Sequence, residues 1–165
     1  MSQFLNSFDI SGYGMSAQRA RVNVISSNIA NAQTTRTEEG GPYRRREVMF
    51  KAIDFNKMLN DRLLEATGDS GFSDPLDEGD FNKKVKPPIM SVIVDKIIRD
   101  DKEPLMKFEP GHPDANAQGY VAYPNINPVI EMADLIEATR SYQANVAAFQ
   151  SVKTMAQSAM SILQA

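Results

Sequence analysis

The sequence predicts an α+β fold: long N- and C-terminal helices forming a coiled-coil-like layer, with a small antiparallel β insertion and a loop between them. Two observations carry the helices. Each end of the chain is a long, charge-poor stretch with a 3-4 spacing of seam positions, which on a helix makes a coiled-coil stripe. From Val129 to Leu163 there is also neither glycine nor proline, so nothing interrupts a helix longer than the usual globular limit of about 25 residues. The third observation is a run dense in Val and Ile, Ile89 to Ile98, between the two ends, where β-branched residues favour a strand.

The first helix is predicted between Gln3 and Ala32, its stripe running Phe4, Phe8, Ser11, Met15, Gln18, Val22, Ile25, Ile29, Ala32. Gly12 and Gly14 interrupt good helix formers, each at a cost of about 1 kcal/mol. They are either poorly placed residues in an ordinary helix or points of bend or close helix contact. Ser, Asn and Gln fill the polar positions here in place of Lys and Glu. Such a surface suits neighbours packed on several sides, because buried charge is expensive.

Gln33 to Thr37 stops the helix, and Gly40-Gly41-Pro42 marks a turn. Arg44 to Phe50 alternates in part and predicts a short strand, residues 51–65 read as a short helix or an irregular extension, and Thr67 to Asp80 reads as an acidic mobile loop. After Ile89–Ile98, Asp100-Asp101-Lys102 predicts a hairpin turn into Leu105, Met106 and Phe108, and Gly119 to Tyr123 a third strand bounded by Pro124. Asn127-Pro128 then opens the last helix, with Asn127 as cap, Pro128 at the first helical position, and Glu131 and Asp134 near the positive end of the helix dipole. Its stripe is Met132, Leu135, Thr139, Tyr142, Val146, Phe149, Lys153, Ala156, Met160, Leu163. The expected organisation is an assembly helix over 1–35, a middle region over 36–128 with its loop at about 67–80, and a second assembly helix over 129–165 that pairs with the first.

With 165 residues the chain makes one domain with a core. A net charge of -3 and no basic cluster longer than a few residues, such as Arg44-Arg45-Arg46, argue against nucleic-acid binding. Cysteine is absent, which excludes disulfides and thiolate chemistry. No apolar run is long enough to span a membrane, and Met1-Ser2-Gln3-Phe4 does not open a secretory signal. That leaves the cytoplasm or a specialised export route.

Enzyme chemistry has one candidate, His112, with Asp114 or Glu109 to orient it. No nucleophile accompanies it, and one histidine with scattered carboxylates lacks metal-ligand spacing. A rigid Pro-Gly-His-Pro turn in which the imidazole packs or hydrogen-bonds is the simpler reading. No catalytic, cofactor-binding or metal site is therefore expected, and no cofactor or small-molecule substrate.

Particular words of the sequence go further. Ser16-Ala17-Gln18-Arg19 and Ser26-Ser27-Asn28-Ile29-Ala30-Asn31-Ala32-Gln33-Thr34-Thr35-Arg36-Thr37 resemble the N-terminal motif of flagellar rod and hook proteins. Gly40-Gly41-Pro42-Tyr43-Arg44-Arg45 points within that family to the proximal rod. His112-Pro113-Asp114-Ala115-Asn116, Tyr123-Pro124-Asn125, Asn127-Pro128-Val129 and Ala138-Thr139-Arg140-Ser141-Tyr142-Gln143-Ala144-Asn145-Val146 follow in family order. The resemblance covers about 4–53 and 108–165 and lapses over 56–105.

It implies a structural subunit of the bacterial flagellar basal body, spanning the periplasm and exported by the flagellar type III apparatus without a cleaved signal peptide. Its partners would be itself, other rod proteins, a rod-base adaptor and the export apparatus. The rod so formed is a hollow shaft that carries motor torque to the hook. Stripes and resemblance together put the assembly interface on Met15, Val22, Ile25, Asn28, Ile29, Asn31, Leu135, Arg140, Tyr142, Asn145, Val146 and Phe149. Asn28 and Asn31 are either solvated residues ending the first helix or amides set against a neighbouring subunit, and Arg140 either pairs between subunits or decorates a wet face. Two alternatives stand beside this reading: another rod or hook-family axial subunit, and a helical export chaperone or adaptor.

Overall fold

A computed structural model describes residues 2–54 and 90–164. Its described elements are α1 (Ser2–Ala30), β1 (Arg46–Asp54), β2 (Met90–Arg99), β3 (Leu105–Phe108), β4 (Tyr120–Tyr123) and α2 (Pro128–Gln164). The predicted fold class is what the chain adopts: two long terminal helices packed together with small antiparallel sheets between them.

The helices run antiparallel. Phe8 stacks edge-on against Phe149 at 5.0 Å between ring centroids, Gly14 faces Asn145, Arg21 reaches Asp134, and Asn28 bonds Glu131. Sequence numbers thus rise along one helix as they fall along the other. The start of α2 is built as its residues require: Asn127 Oδ1 accepts the Val129 N–H at 3.0 Å, and Pro128 gives up no helical bond at the first position. At the end of α1 the Asn31 side chain donates to the Ser27 carbonyl at 2.9 Å and accepts from the Thr34 hydroxyl at 3.2 Å.

Two two-stranded antiparallel sheets are described, β1 with β2 and β3 with β4. β1 is longer than the Arg44–Phe50 expectation, since residues 51–54 continue it as strand. The rest of the 51–65 reading and the Thr67–Asp80 loop lie outside the described residues. In the β1–β2 ribbon Met49 pairs with Lys96 and Phe50 with Val94, so Asp95 is an extra, bulged residue that adds local twist.

One sequence expectation is corrected: β2 does not turn into β3 as a hairpin. Asp100 does make a turn, accepting the Lys102 N–H at 3.1 Å. Its own N–H, however, goes to the Arg45 carbonyl at 2.8 Å, holding the end of β2 to the start of β1. Pro104 then offers no N–H to extend a ladder on β2. β3 pairs instead with β4, Leu105 opposite Tyr123 through Phe108 opposite Tyr120.

The buried apolar core is small: Ala17, Val24 and Ile25 of α1, Tyr43, Val121 of β4, Ile126, and Ala138 of α2. It lies along the helix pair and under the point where the chain enters and leaves the β insertion. α1 also touches β1 and β2. The His112 turn docks here too, its Nδ1 accepting the Asp114 N–H at 3.1 Å and its ring set edge-on to Tyr123. Asp114 in turn accepts from the Thr35 hydroxyl at 2.7 Å, tying this turn to the segment after α1.

Candidate assembly interface

The helix pair meets along Ser11, Gly14, Gln18, Arg21, Ile25 and Asn28 of α1 and Glu131, Leu135, Ala138, Tyr142, Asn145 and Phe149 of α2, two lines with the 3-4 spacing of a seam. Half of each line departs from the predicted stripe by one residue. Met132 and Thr139 are exposed, as is Lys153 further on, while Glu131 and Ala138 beside them are buried. The cause is chemical: the seam at these places holds Gly14, Arg21, Asn28, Glu131 and Asn145, which a hydrophobic count passes over.

Gly14 earns its place by size. A Cβ built there would lie 3.0 Å from the Asn145 amide, so the residue permits close helix contact. Gly12 has nothing within 4 Å and plays no such part.

At the other end of the seam the contact is polar and buried. Asn28 and Glu131 are each 1% exposed. The Asn28 amide donates to Glu131 Oε2 at 3.0 Å and to the Arg46 carbonyl at 2.9 Å, and its oxygen accepts from the Arg46 N–H at 3.0 Å and the Tyr43 hydroxyl at 3.2 Å. Arg46 thereby finds in a side-chain amide what a neighbouring strand would give it. Arg45 Nε donates to Glu131 Oε1 at 2.6 Å. Burial works against the Arg45 charge, but the bond to Glu131 and the charges of Glu131, Glu47 and Asp100 outweigh it and raise its pKa. Every partner that removes this carboxylate from water is therefore supplied, as a buried charge requires.

The turn before β1 makes this reachable. Gly40 and Gly41 have φ of 87° and 78°, a conformation few side chains accept. They reverse the chain so that the Tyr43 N–H meets the Thr34 carbonyl at 3.1 Å and the Tyr43 hydroxyl reaches Asn28 and Ser27.

The structure therefore divides the residues read from the sequence. Ile25 and Asn28 are buried within the chain, and Asn145 and Phe149 lie in the helix contact. Met15, Val22, Ile29, Leu135, Tyr142 and Val146 are half-buried, Asn31 closes α1, and Arg140 is exposed. Glu131, Arg45, Arg21 and Tyr43 were not read from the sequence as part of the helix contact. Glu131 had a usable signal, its seven-residue spacing from Ala138 and Asn145, hidden because a carboxylate early in a helix reads as a dipole partner.

Many of the residues that α2 leaves uncovered are apolar or small. Val129 is 74% exposed, Ile136 55% and Ile162 76%, with Ile130, Met132, Met155 and Met160 also exposed. From Ser141 to Gln164 the only charged residue is Lys153. Ala147, Ser151, Met155, Ser158 and Ile162 line a shallow groove on this outer face. Among the described residues no cluster of His, Asp and Glu could hold a metal ion, and no helix is long and apolar enough to cross a membrane.

Two packed terminal helices with exposed apolar residues along α2, joined by a small β insertion, define a helical structural subunit. The family model described as Flagella basal body rod protein matches residues 8–36, and that described as Flagellar basal body rod FlgEFG protein C-terminal matches 117–162. The chain is 37% identical over 164 residues to the flagellar basal-body rod protein FlgC of Borreliella burgdorferi, covering 96% of this chain and 97% of the relative. It is 37% identical over 163 residues to FlgC of Bacillus subtilis, 95% and 96% of the two chains, and 38% identical over 151 residues to FlgC of Escherichia coli O6:H1, 92% and 91%. The chain belongs to the FlgC family and is a structural, axial subunit of the flagellar basal-body rod, not an enzyme.

Proposed function

We propose that this subunit polymerises in the proximal part of the rod through the outer faces of its terminal helices, within the periplasm, after passage through the flagellar type III export apparatus. The terminal assembly units are the helices at 1–35 and 129–165, and the 36–128 region faces outward. One observation carries the reading: after α1 and α2 have packed together, α2 still exposes Val129, Met132, Ile136, Met155 and Ile162, and from Ser141 to Gln164 it carries one charge, Lys153. Exposed apolar surface of this extent marks an interaction site. Met15, Val22, Ile29 and Val146, half-buried beside the seam, extend that surface at its border and complete the interface with Tyr142 and Arg140. Neighbours are further copies and other rod proteins, with a rod-base adaptor below.

A photocrosslinking residue placed at Ile136 or Ala147 in motile cells tests this. Adducts to itself and to other rod proteins are expected in isolated basal bodies, and none from a crosslinker at Lys107 on β3 with the same helical neighbours. Adducts confined to a cytoplasmic partner, with the chain absent from basal bodies, would overturn the reading in favour of an export adaptor.

A further inference from the structure

We propose that the Asn28–Glu131–Arg45 junction is the joint that holds the β insertion at one angle to the helix pair in the assembled rod, so that the helical layer and the outward region turn as one body. The inference rests on the assembly reading and concerns the subunit as it stands in the rod.

Both helices and both ends of the β1–β2 ribbon meet at this point. Asn28 lies near the end of α1, Glu131 lies in the first turn of α2, and the chain enters β1 through Arg45 and Arg46 and leaves β2 at Asp100. The start of β1 is gripped from different directions. The Asn28 side chain bonds both backbone groups of Arg46. The Arg45 carbonyl accepts the Asp100 N–H at 2.8 Å, and the Arg45 side chain donates to the Glu131 carboxylate. Such bonds fix an angle as well as a position, because each weakens steeply once its donor is turned away. Asn28 and Glu131 are buried, so a bond broken here is not replaced by one to water.

Beyond the junction the insertion is held more loosely. β1 and β2 touch α1, yet an open cleft of about 280 Å³ is lined by Val48 and Phe50 of β1 and by Arg21, Val24 and Ile25 of α1. The turn before β4 is tied through Asp114 to Thr35, in the segment after α1. A twist applied between the two layers therefore falls on the junction.

Hydrogen exchange of isolated basal bodies, read by mass spectrometry of peptides, tests the joint. Asn28→Leu with Glu131→Leu removes the directional bonds without leaving a buried carboxylate, and Glu131→Gln removes the charge while keeping the shape. In double-leucine rods, peptides across 43–54 and 90–101 should exchange at least about tenfold faster than in the parent. Peptides across 132–150 should stay within about twofold, and Glu131→Gln should fall between. Motility of the double-leucine cells should decline more steeply with the viscosity of the medium than that of the parent. Three outcomes overturn the joint alone. Unchanged exchange across 43–54 would show that other contacts hold the ribbon, equal acceleration across 132–150 would make the junction a source of helix stability, and exclusion of both variants from the rod would make it a condition of assembly. A parent chain absent from basal bodies would overturn the assembly reading and the joint with it.

Discussion

The Asn28 amide, with all of its hydrogen-bonding groups engaged inside the chain, shows how residue chemistry displaced the seam from its apolar reading. Positions 11, 18 and 25 of α1 were legible because every pattern through the helix shares them. Positions 14, 21 and 28 were not, since glycine, arginine and asparagine carry no hydrophobic signal, although Asn28 was singled out by its motif. Their burial depends on partners supplied from α2 and from 43–46, which no local pattern contains. The two nearby glycines give a test. Gly12→Ala meets open space and should stabilise the helix pair by up to about 1 kcal/mol through helix propensity. Gly14→Ala gains the same propensity but drives a methyl to 3.0 Å from Asn145, so a net loss is expected. The Gly14→Ala, Asn145→Ala double variant should recover the gain. Thermal unfolding followed by circular dichroism reads all three, and equal stabilisation by Gly12→Ala and Gly14→Ala would show that the close approach is unimportant.

At the scale of elements, both helices and four strands were readable from period, β-branching and turn chemistry, because these signals are local. Strand pairing was not. The turn at Asp100 is real, yet β2 is already paired along Arg46–Asp54 and bound at Arg45, and Pro104 denies β3 a place beside it. The turn before β1 is likewise clasped to β2 by Glu39 and Arg99, paired through two hydrogen bonds, the longer at 2.8 Å. The bond to Arg99, then its charge, holds the Glu39 carboxyl below its ordinary value of 4.5. A lowered acid pKa contributes stability that is present above about that value and is lost as pH falls through the folded one. The pair is exposed, so the contribution is small and screened by salt. The Glu39 carboxyl should titrate below pH 4.5 by carbon-detected NMR and move back toward the ordinary value with Arg99→Gln or in molar salt. An unchanged midpoint in the Arg99→Gln chain would show that the clasp is absent in solution.

For the whole molecule, the decisive distinction is between surface that folds the subunit and surface that joins it to others, and the two alternate around α2. Phe149 faces Phe8 inside the chain. Ala147 faces outward in the groove with Ser151, Met155 and Ile162. A stripe read from sequence cannot divide these roles, since both call for small or apolar residues and only the packing of α1 reveals which face is taken. Substitution can divide them. Phe149→Ala removes an aromatic contact from the seam and should destabilise the isolated subunit by about 2–4 kcal/mol. Ala147→Glu places its charge in water on the free subunit and should leave unfolding of the monomer within about 0.5 kcal/mol of the parent. Buried against a neighbour in the rod, the same carboxylate has no partner and should block incorporation. Rod assembly and motility are the readouts, with secreted subunit measured separately so that an export defect is not taken for a failure to polymerise. Motile cells carrying Ala147→Glu at normal rod occupancy would place the interface elsewhere and leave the apolar face of α2 without an assembly role.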